Sequence, residues 1–379
     1  MEKYKHLSFP TEYEKVLERV NAIDPIKYAK TRNFINGQIT YLSPYITRGV
    51  ISTKQVMDKL LEKQYPYPAI EKIIQELAWR EYFQRVWQSK GTQIWEDLKQ
   101  DQQEVEHHKM INAIQLAKTG IESIDSAIHG LYEKGYMHNH SRMYLGSIAC
   151  NIGKAHWLEP SKWMYYHLLD GDIASNNCSW QWVAGAFSSK KYYCNQENIN
   201  KYTFSKQQNT FLDKPYEQLV EMPIPDALQE TTVLELKTNL PKNTCPQINT
   251  ELPTLIYNSY NLDPLWRKDE KANRVLLLEP SHFNQYPVSD KVIEFIIGLS
   301  KNIEGLQMFK GEIEEIKKLY LADSLWDDQK IISKEHTAFT YYPGIKDQRD
   351  WMFPEVNGYY PSFFSYWKKA ERSFRKLLK

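Results

Sequence analysis

The chain has few cysteines and no long apolar run. Its 379 residues include four cysteines without a Cys-x-x-Cys spacing, which disfavours a disulfide framework or a metal site and indicates reduced thiols. The formal net charge is +1 at pH 7, so any site for a polyanion must be a local basic patch. Because no apolar run follows Met1–Lys5, we expect a cytoplasmic protein without a signal peptide or a membrane-spanning helix.

The first half of the chain has the periodicity of helices. Apolar residues recur at three- and four-residue spacing over 70–87 and again over 121–131, and each stretch predicts one helix with a buried face. No strand-like alternation is evident in this half. The pattern therefore predicts a helical domain over residues 1–205.

The composition changes after this domain. Prolines interrupt every candidate helix between Phe211 and Pro264, so residues 206–270 are predicted to form an extended linker. Apolar and amphipathic stretches then alternate, which predicts a small parallel α/β unit over 271–379. The expected strands are 275–278, 306–309 and 331–339, and the expected helices are 292–299 and 313–320. The basic amphipathic end of the chain is interpreted as a solvated helix, with a surface for phosphates or a partner as the alternative.

The segment Asp170–Trp182, with the sequence DGDIASNNCSWQW, is the most distinctive part of the chain. It combines two carboxylates around a glycine, two amides, and two tryptophans around a glutamine. This mixture suits a cleft in which polar groups orient a ring system and aromatic faces stack on it. The alternative is a capped turn between helices with tryptophans in the core.

Three other segments in the helical half contain clustered polar and aromatic residues. TYLSPY at 40–45 offers hydroxyls and free N–H groups at a helix start, which suits a phosphate, although Ser before Pro also caps ordinary helices. ELAWREYF at 76–83 places the carboxylate of Glu76, the ring of Trp79 and the guanidinium of Arg80 about one helical turn apart, so that they can line one side of a cavity. The alternative is a surface ion pair beside a tryptophan in the core. MHNHSRM at 137–143 is a polar run that could also be a helix entry.

Together, and in this order, these segments resemble the FAD-binding domain of the DNA photolyase/cryptochrome family over residues 28–182. The expected fold is mainly α: an all-helical photolyase-type FAD-binding domain, a Pro-rich linker, and a small α/β unit. The resemblance implies FAD held in a U-shape within a pocket that opens on a basic DNA-binding face. It implies no metal, and we expect a monomer that is not bound to membranes.

The resemblance also assigns roles to individual residues. Thr40, Leu42 and Ser43 would hold the FAD phosphates, Arg142 would pair with Asp170 near the flavin, and Asn176 would face flavin N5. Asp172 would contact the hydrogen-bonding edge of the flavin, and Trp180 and Trp157 would be the inner members of a chain of tryptophans that reduces it. The expected cofactor-binding residues are Tyr28, Thr40, Leu42, Ser43, Arg80, Arg142, Asp170, Asp172 and Asn176.

The residues at the pocket rim resemble those of photolyases that repair cyclobutane pyrimidine dimers rather than (6-4) products. The two tryptophans would wedge a flipped dimer, while the carboxylate and the amide would hydrogen-bond base edges. The implied reaction is light-driven electron transfer from reduced FAD to the dimer, ring splitting, and return of the electron. The expected substrate-side residues are Glu76, Trp79, Asn139, His140, Met143 and Trp182.

Several positions depart from the family pattern. His140 replaces a frequent arginine, Cys178 and Ser179 replace a Gly-Gly pair, and no tryptophan is found near Glu104 for the outermost electron-transfer step. A basic rim for DNA is expected from Arg80, Arg85, His138, His140, Lys190 and Lys191. Two alternatives to a repair enzyme remain: a cryptochrome-like blue-light photoreceptor, and a binding module without flavin.

Overall fold

The computed structural model describes residues 6–242, 245–321 and 328–378. Helices form most of its N-terminal part. Their bounds are α1 Tyr13–Asn21, α2 Pro25–Thr31, α3 Ser43–Thr47, α4 Thr53–Glu62, α5 Tyr67–Lys90, α6 Asn112–Gln115, α7 Glu122–Lys134, α8 Asn139–Gly146, α9 Leu158–His167, α10 Ile173–Ala184, α11 Gln196–Thr203, α12 Tyr216–Glu221 and α13 Asp226–Gln229.

The central helix of this part is α5, which spans 24 residues and contacts α2, α4 and α10. Pro68 lies in its first turn, where the missing N–H has no intrahelical partner to lose. The helix ends at Gly91, whose φ of +54° is readily adopted only by glycine. The predicted helix over 70–87 is confirmed, and the second predicted helix corresponds to α7, which ends at the left-handed Gly135.

The C-terminal part contains a five-stranded parallel sheet. Its strands lie in the order β5-β4-β3-β6-β7, so the chain builds outward from β3 to one edge and then returns to the other side of β3. This is a doubly wound arrangement, with its switch point between β3 and β6. The strands are β3 Thr254–Tyr257, β4 Asn273–Leu278, β5 Leu306–Lys310, β6 Ile331–Lys334 and β7 Ile345–Asp347, and the helices are α14 Pro280–Gln285, α15 Asp290–Ser300, α16 Ile313–Leu321 and α17 Phe363–Leu377.

The structure confirms a helical part followed by a parallel α/β part, but it differs from the predictions in detail. Strand β3 lies within residues 206–270, where a linker was expected, and it was missed because Pro253 precedes an apolar run of only four residues. Strand β7 was missed because it has three residues and is largely exposed. The helical part also contains a short antiparallel pair, formed by β1 Met110–Ile111 and β2 Thr231–Thr232.

The two parts meet at a seam formed by residues 47–50 and 258–262. The buried Arg48 side chain donates hydrogen bonds to the carbonyl oxygens of Leu169, at 3.1 Å, and Ser259, at 3.3 Å. The Leu262 N–H donates to the Arg48 carbonyl. Gly49 has φ +63°, and a Cβ at this position would lie 2.4 Å from the Tyr260 carbonyl oxygen. One arginine and one glycine therefore set how closely the two parts approach each other.

We expect Gly49→Ala to lower the free energy of unfolding by about 2 kcal/mol, because a left-handed conformation and a clash with backbone both penalise the added methyl. Gly305→Ala is the matched control, since Gly305 has φ +69° with no atom within 4 Å of a Cβ. We expect the control to lose only about 1 kcal/mol. Denaturant unfolding of both variants measures the difference, and equal losses would contradict a close contact at the seam.

Candidate functional site

The first element of the site is an ion pair between Arg142 on α8 and Asp170 before α10. Arg142 Nη2 lies 2.9 Å from each oxygen of the Asp170 carboxylate, whose side chain is only 4% exposed. Arg142 Nε donates to the Met137 carbonyl oxygen at 2.8 Å, which fixes the plane of the guanidinium. The predicted pairing of these two residues is present, and the nearly buried carboxylate has the charged partner that its burial requires.

The second element is Asp172, which is the N-cap of α10. Its Oδ1 accepts from the Ser175 N–H at 2.7 Å, and its Oδ2 accepts from Gln84 Nε2 at 2.5 Å. The Arg80 guanidinium lies 3.8 Å from the same Oδ2 and donates to the Thr47 hydroxyl. Since Arg80 and Gln84 are one turn apart on α5, the helix holds Asp172 in a fixed orientation.

Arg80 and Asp172 line a cleft between the helical part and the carboxyl edge of the parallel sheet. The loops after β3, β6 and β7 form its opposite wall, and the first two lie on either side of the switch point. Residues of this wall include Tyr260, Asn261, His336, Arg349 and Trp351. The cleft has a volume of about 110 Å³, below the roughly 300–1,000 Å³ typical of ligand pockets, so its walls must separate to admit a ring system.

A second cavity, of about 350 Å³, is lined by Tyr28 and Thr40 together with Arg19 and Gln38. Burial raises the pKa of Tyr28, so the phenol stays protonated and can donate a hydrogen bond. Leu42 is buried at the start of α3, and Ser43 is the first residue of that five-residue helix. Of the expected phosphate-binding residues, Thr40 therefore lines this cavity, whereas Leu42 and Ser43 begin the helix whose other end, at Thr47, lines the cleft with Arg80 and Asp172.

The predicted flavin-facing amide and electron-transfer tryptophans lie within the helical core. Asn176 donates to the Ser161 carbonyl oxygen at 3.0 Å. Trp157 and Trp180 are buried in one apolar cluster, and Trp157 Nε1 donates to Asp97 Oδ1 at 2.6 Å. Their roles toward a flavin remain predictions.

The preceding turn of α5 bears two of the residues expected on the substrate side, Glu76 and Trp79. The Glu76 carboxylate lies 2.9 Å from Lys72 Nζ and 3.4 Å from Arg32 Nε. Burial lowers the pKa of His140 to about 4, with a further contribution from Arg32. His140 is therefore neutral at pH 7 and lacks the positive charge of the arginine that is frequent at this position.

Trp79 is covered by the C-terminal helix. Its ring stacks on Phe363 of α17, with centroids 3.7 Å apart and planes 9° from parallel. The other expected stacking residue, Trp182, is 38% exposed and packs beside Tyr192. The ring of Trp182 is thus open to a ligand, whereas the ring of Trp79 already stacks on Phe363.

Asn139 and Met143 are neighbours on α8, with the Asn139 amide nitrogen 3.8 Å from the Met143 sulfur. The expected basic rim is wrong for Arg85, which is buried and stacks on Trp351 with its guanidinium 3.7 Å from the ring centroid. Arg85 lies on the face of α5 that packs against the C-terminal part, and the sequence periodicity could not show that this face is covered.

The wall contributed by the sheet was not expected to belong to the site. Tyr260 and Asn261 follow β3, and His336 follows β6. Ligands of doubly wound sheets bind outside the carboxyl ends of the strands at the switch point. That rule would have located these residues, but only once β3 had been recognised as a strand.

Residues 73–230 match a family model described as the FAD binding domain of DNA photolyase. The resemblance to the photolyase family is confirmed. The match includes the helices that position Glu76, Arg80, Arg142, Asp170 and Asp172, and it confirms the expectation of an FAD-binding domain.

Named photolyases also match part of the chain. The deoxyribodipyrimidine photo-lyase of Buchnera aphidicola subsp. Baizongia pistaciae is 29% identical over 235 residues, which cover 53% of this chain and 48% of that protein. The Escherichia coli (strain K12) photo-lyase is 30% identical over 170 residues, covering 42% and 35% respectively. The chain thus spans about half or less of the length of these relatives.

Solved structures of the photolyase and cryptochrome type also match. The cryptochrome of Synechocystis sp. PCC6803 has a TM-score of 0.45 at 22% identity, covering 52% of this chain and 44% of that one. A class III photolyase from Agrobacterium tumefaciens has a TM-score of 0.41 at 24% identity, covering 48% and 40%.

Unpaired polar atoms on both sides of the seam bear on whether the cleft fits FAD. Arg48 Nη2, the Asn258 amide nitrogen, the Ser259 hydroxyl and both amide atoms of Asn261 are buried without a hydrogen-bond partner. Such atoms are costly unless a ligand or water satisfies them, and they cluster beside the cleft. These unpaired donors and acceptors therefore fit a ligand with a polar ring system.

Within the described ranges, no group of three or more His, Cys, Asp or Glu side chains could hold a metal ion. No helix in this part of the chain is long and apolar enough to cross a bilayer.

Proposed function

We propose that the protein is a flavoprotein that repairs cyclobutane pyrimidine dimers in DNA by light-driven electron transfer from reduced FAD. The observation that carries this proposal is the arrangement of four residues along α5. Arg80 and Gln84 face the cleft and hold Asp172, whereas Glu76 lies one turn before Arg80 on the same side of the helix and Trp79 lies roughly 100° around the axis from Arg80. One helix therefore presents cofactor-facing and substrate-facing residues about one turn apart, which suits a short electron path.

When bound and reduced, FAD supplies the electron that splits the dimer and receives it back afterwards. The protein's residues provide binding and orientation. The Arg142–Asp170 pair would give a fixed charge arrangement beside the cofactor, and Glu76 would accept a hydrogen bond from a base edge. The exposed face of Trp182 offers a stacking surface to a flipped base, an interaction worth about 1–3 kcal/mol per base.

A cryptochrome-like photoreceptor is the second candidate, and the Trp79–Phe363 stack favours it. A base can stack on Trp79 only if the first turn of α17 moves away. In a photoreceptor, the same contact would link the flavin-side helix α5 to the C-terminal helix. Tyr366 of α17 adds to this link through a hydrogen bond of 3.4 Å to Glu81 on α5.

We expect the purified protein to show flavin absorbance and, under blue light with a reductant, to restore thymine absorbance in a UV-irradiated thymine oligonucleotide. Glu76→Gln should reduce the repair rate without releasing flavin, because Glu76 lies outside the cleft. Glu62→Gln is the matched control, since Glu62 is an exposed carboxylate on α4. Bound flavin without any restoration would overturn the repair proposal.

Phe363→Ala separates the two candidates. In a repair enzyme it should raise affinity for irradiated DNA, because Trp79 becomes free to stack. In a photoreceptor it should abolish a light-dependent change in protease sensitivity of the C-terminal helix and leave DNA affinity unchanged.

A further inference from the structure

The loop that joins β3 to β4 holds a cluster of buried polar groups at the cleft. Asn261 is 3% exposed and lines the cleft, and neither its amide oxygen nor its amide nitrogen has a hydrogen-bond partner. A buried carboxamide with both polar atoms unpaired is costly. This cost indicates that a ligand supplies a hydrogen-bond partner for each of the two Asn261 amide atoms.

The loop is held firmly in place. Its backbone turn closes through a hydrogen bond from the Asn261 N–H to the Asn258 carbonyl, and Asn258 Oδ1 accepts from the Tyr260 N–H at 2.9 Å. The Tyr260 ring stacks on His336 at 4.4 Å, and its hydroxyl bonds to that of Tyr165 at 2.8 Å. The backbone that carries the Asn261 amide is therefore held at the cleft by its neighbours, as the support of a recognition group must be.

The chemistry of a carboxamide selects the kind of ligand. It presents an acceptor and a donor side by side, which pair with an adjacent N–H and C=O on a ring edge. An imide has this pattern, and the flavin ring contains one. The cleft also contains Asp172 and Arg80, two of the residues expected to hold the flavin.

We propose that Asn261 hydrogen-bonds the imide edge of the flavin, so that the C-terminal α/β part contributes directly to the cofactor site. This inference rests on the proposed function, because it requires flavin in the cleft. It extends that function by adding a specificity residue from outside the segment that matches the photolyase model, which ends at residue 230. Thymine bases also contain an imide, so the test compares the two sources.

The test is a titration of the full-length protein, freed of flavin, with FAD and separately with a thymidine dinucleotide. Asn261→Leu keeps the branching at Cγ and removes both polar atoms. We expect it to weaken FAD binding roughly 10- to 100-fold and to shift the visible bands of residual bound flavin. Binding of the dinucleotide should not change. Asn284→Leu is the matched control, because Asn284 is exposed on α14 of the same part.

The melting temperature of the flavin-free protein distinguishes ligand binding from a structural role. Since Asn261 makes no side-chain hydrogen bond within the protein, Asn261→Leu should leave this temperature unchanged or higher. An unchanged FAD affinity, a loss confined to the dinucleotide, or a fall in melting temperature alongside the lost affinity would each overturn the proposal. A wild-type protein that fails to bind FAD would instead overturn the proposed function.

Discussion

Asp170→Ala is expected to lower the free energy of unfolding by about 3 kcal/mol and to release most of the bound flavin. The substitution leaves the Arg142 guanidinium without its carboxylate, and breaking a buried ion pair from one side typically costs about 3–5 kcal/mol. We expect the lower end of this energy range because the Arg142 side chain is 22% exposed and keeps its hydrogen bond to the Met137 carbonyl oxygen. Denaturant unfolding and the flavin-to-protein absorbance ratio measure the two effects.

The double variant Asp170→Ala/Arg142→Met separates stability from cofactor binding. Removing both charges leaves no unpaired ion, so stability should recover much of the loss. Flavin binding should not recover, because neither member of the pair is present. If the double variant were as unstable as Asp170→Ala, the ion pair would not be the cause of the loss.

Acidification from pH 7 to pH 4 is expected to reduce stability by about 3 kcal/mol through His282 alone. Burial lowers the pKa of His282 to about 3, and Arg48 contributes in the same direction. Between its unfolded value near 6.5 and its folded value, only the unfolded chain binds the proton. Stability is therefore fully present above about pH 6.5 and falls as the pH decreases through this window.

Other buried histidines act in the same direction. Burial also lowers the pKa of His336, with Arg349 as the next cause, and lowers that of His167 to about 4. His282→Phe should flatten the dependence of the unfolding free energy on pH between 7 and 4, whereas the exposed His129→Phe serves as the matched control. Equal slopes in the wild type and in His282→Phe would contradict this account.

Much of the helical part could be predicted from the sequence because its signals are local. The spacing of apolar residues predicted α5, and the Asp170–Trp182 segment located both carboxylates of the site. The Arg142–Asp170 pair also followed from the family resemblance and is present in the structure. The first two signals are local, whereas the Arg142–Asp170 pair joins residues 28 positions apart and could be predicted only through the resemblance.

The wall formed by the C-terminal part could not be predicted in this way. Contacts such as Arg48 with Ser259 and Gln84 with Arg349 join residues more than 200 positions apart. Nothing in the local sequence indicates which distant loop will cover a given helix face. The same reason explains the burial of Arg85 and the stacking of Phe363 on Trp79.

The position of α17 has a consequence for synthesis of the chain. One apolar core contains Val16 of the first helix and Phe374 of the last, and Arg48 obtains its second carbonyl partner only from Ser259. During translation, the N-terminal helices therefore emerge with a core that cannot close until α17 has also left the ribosome. Such long-range contacts slow folding and prolong exposure of apolar surface. Nascent chains of this protein are thus expected to depend on chaperones until α17 docks.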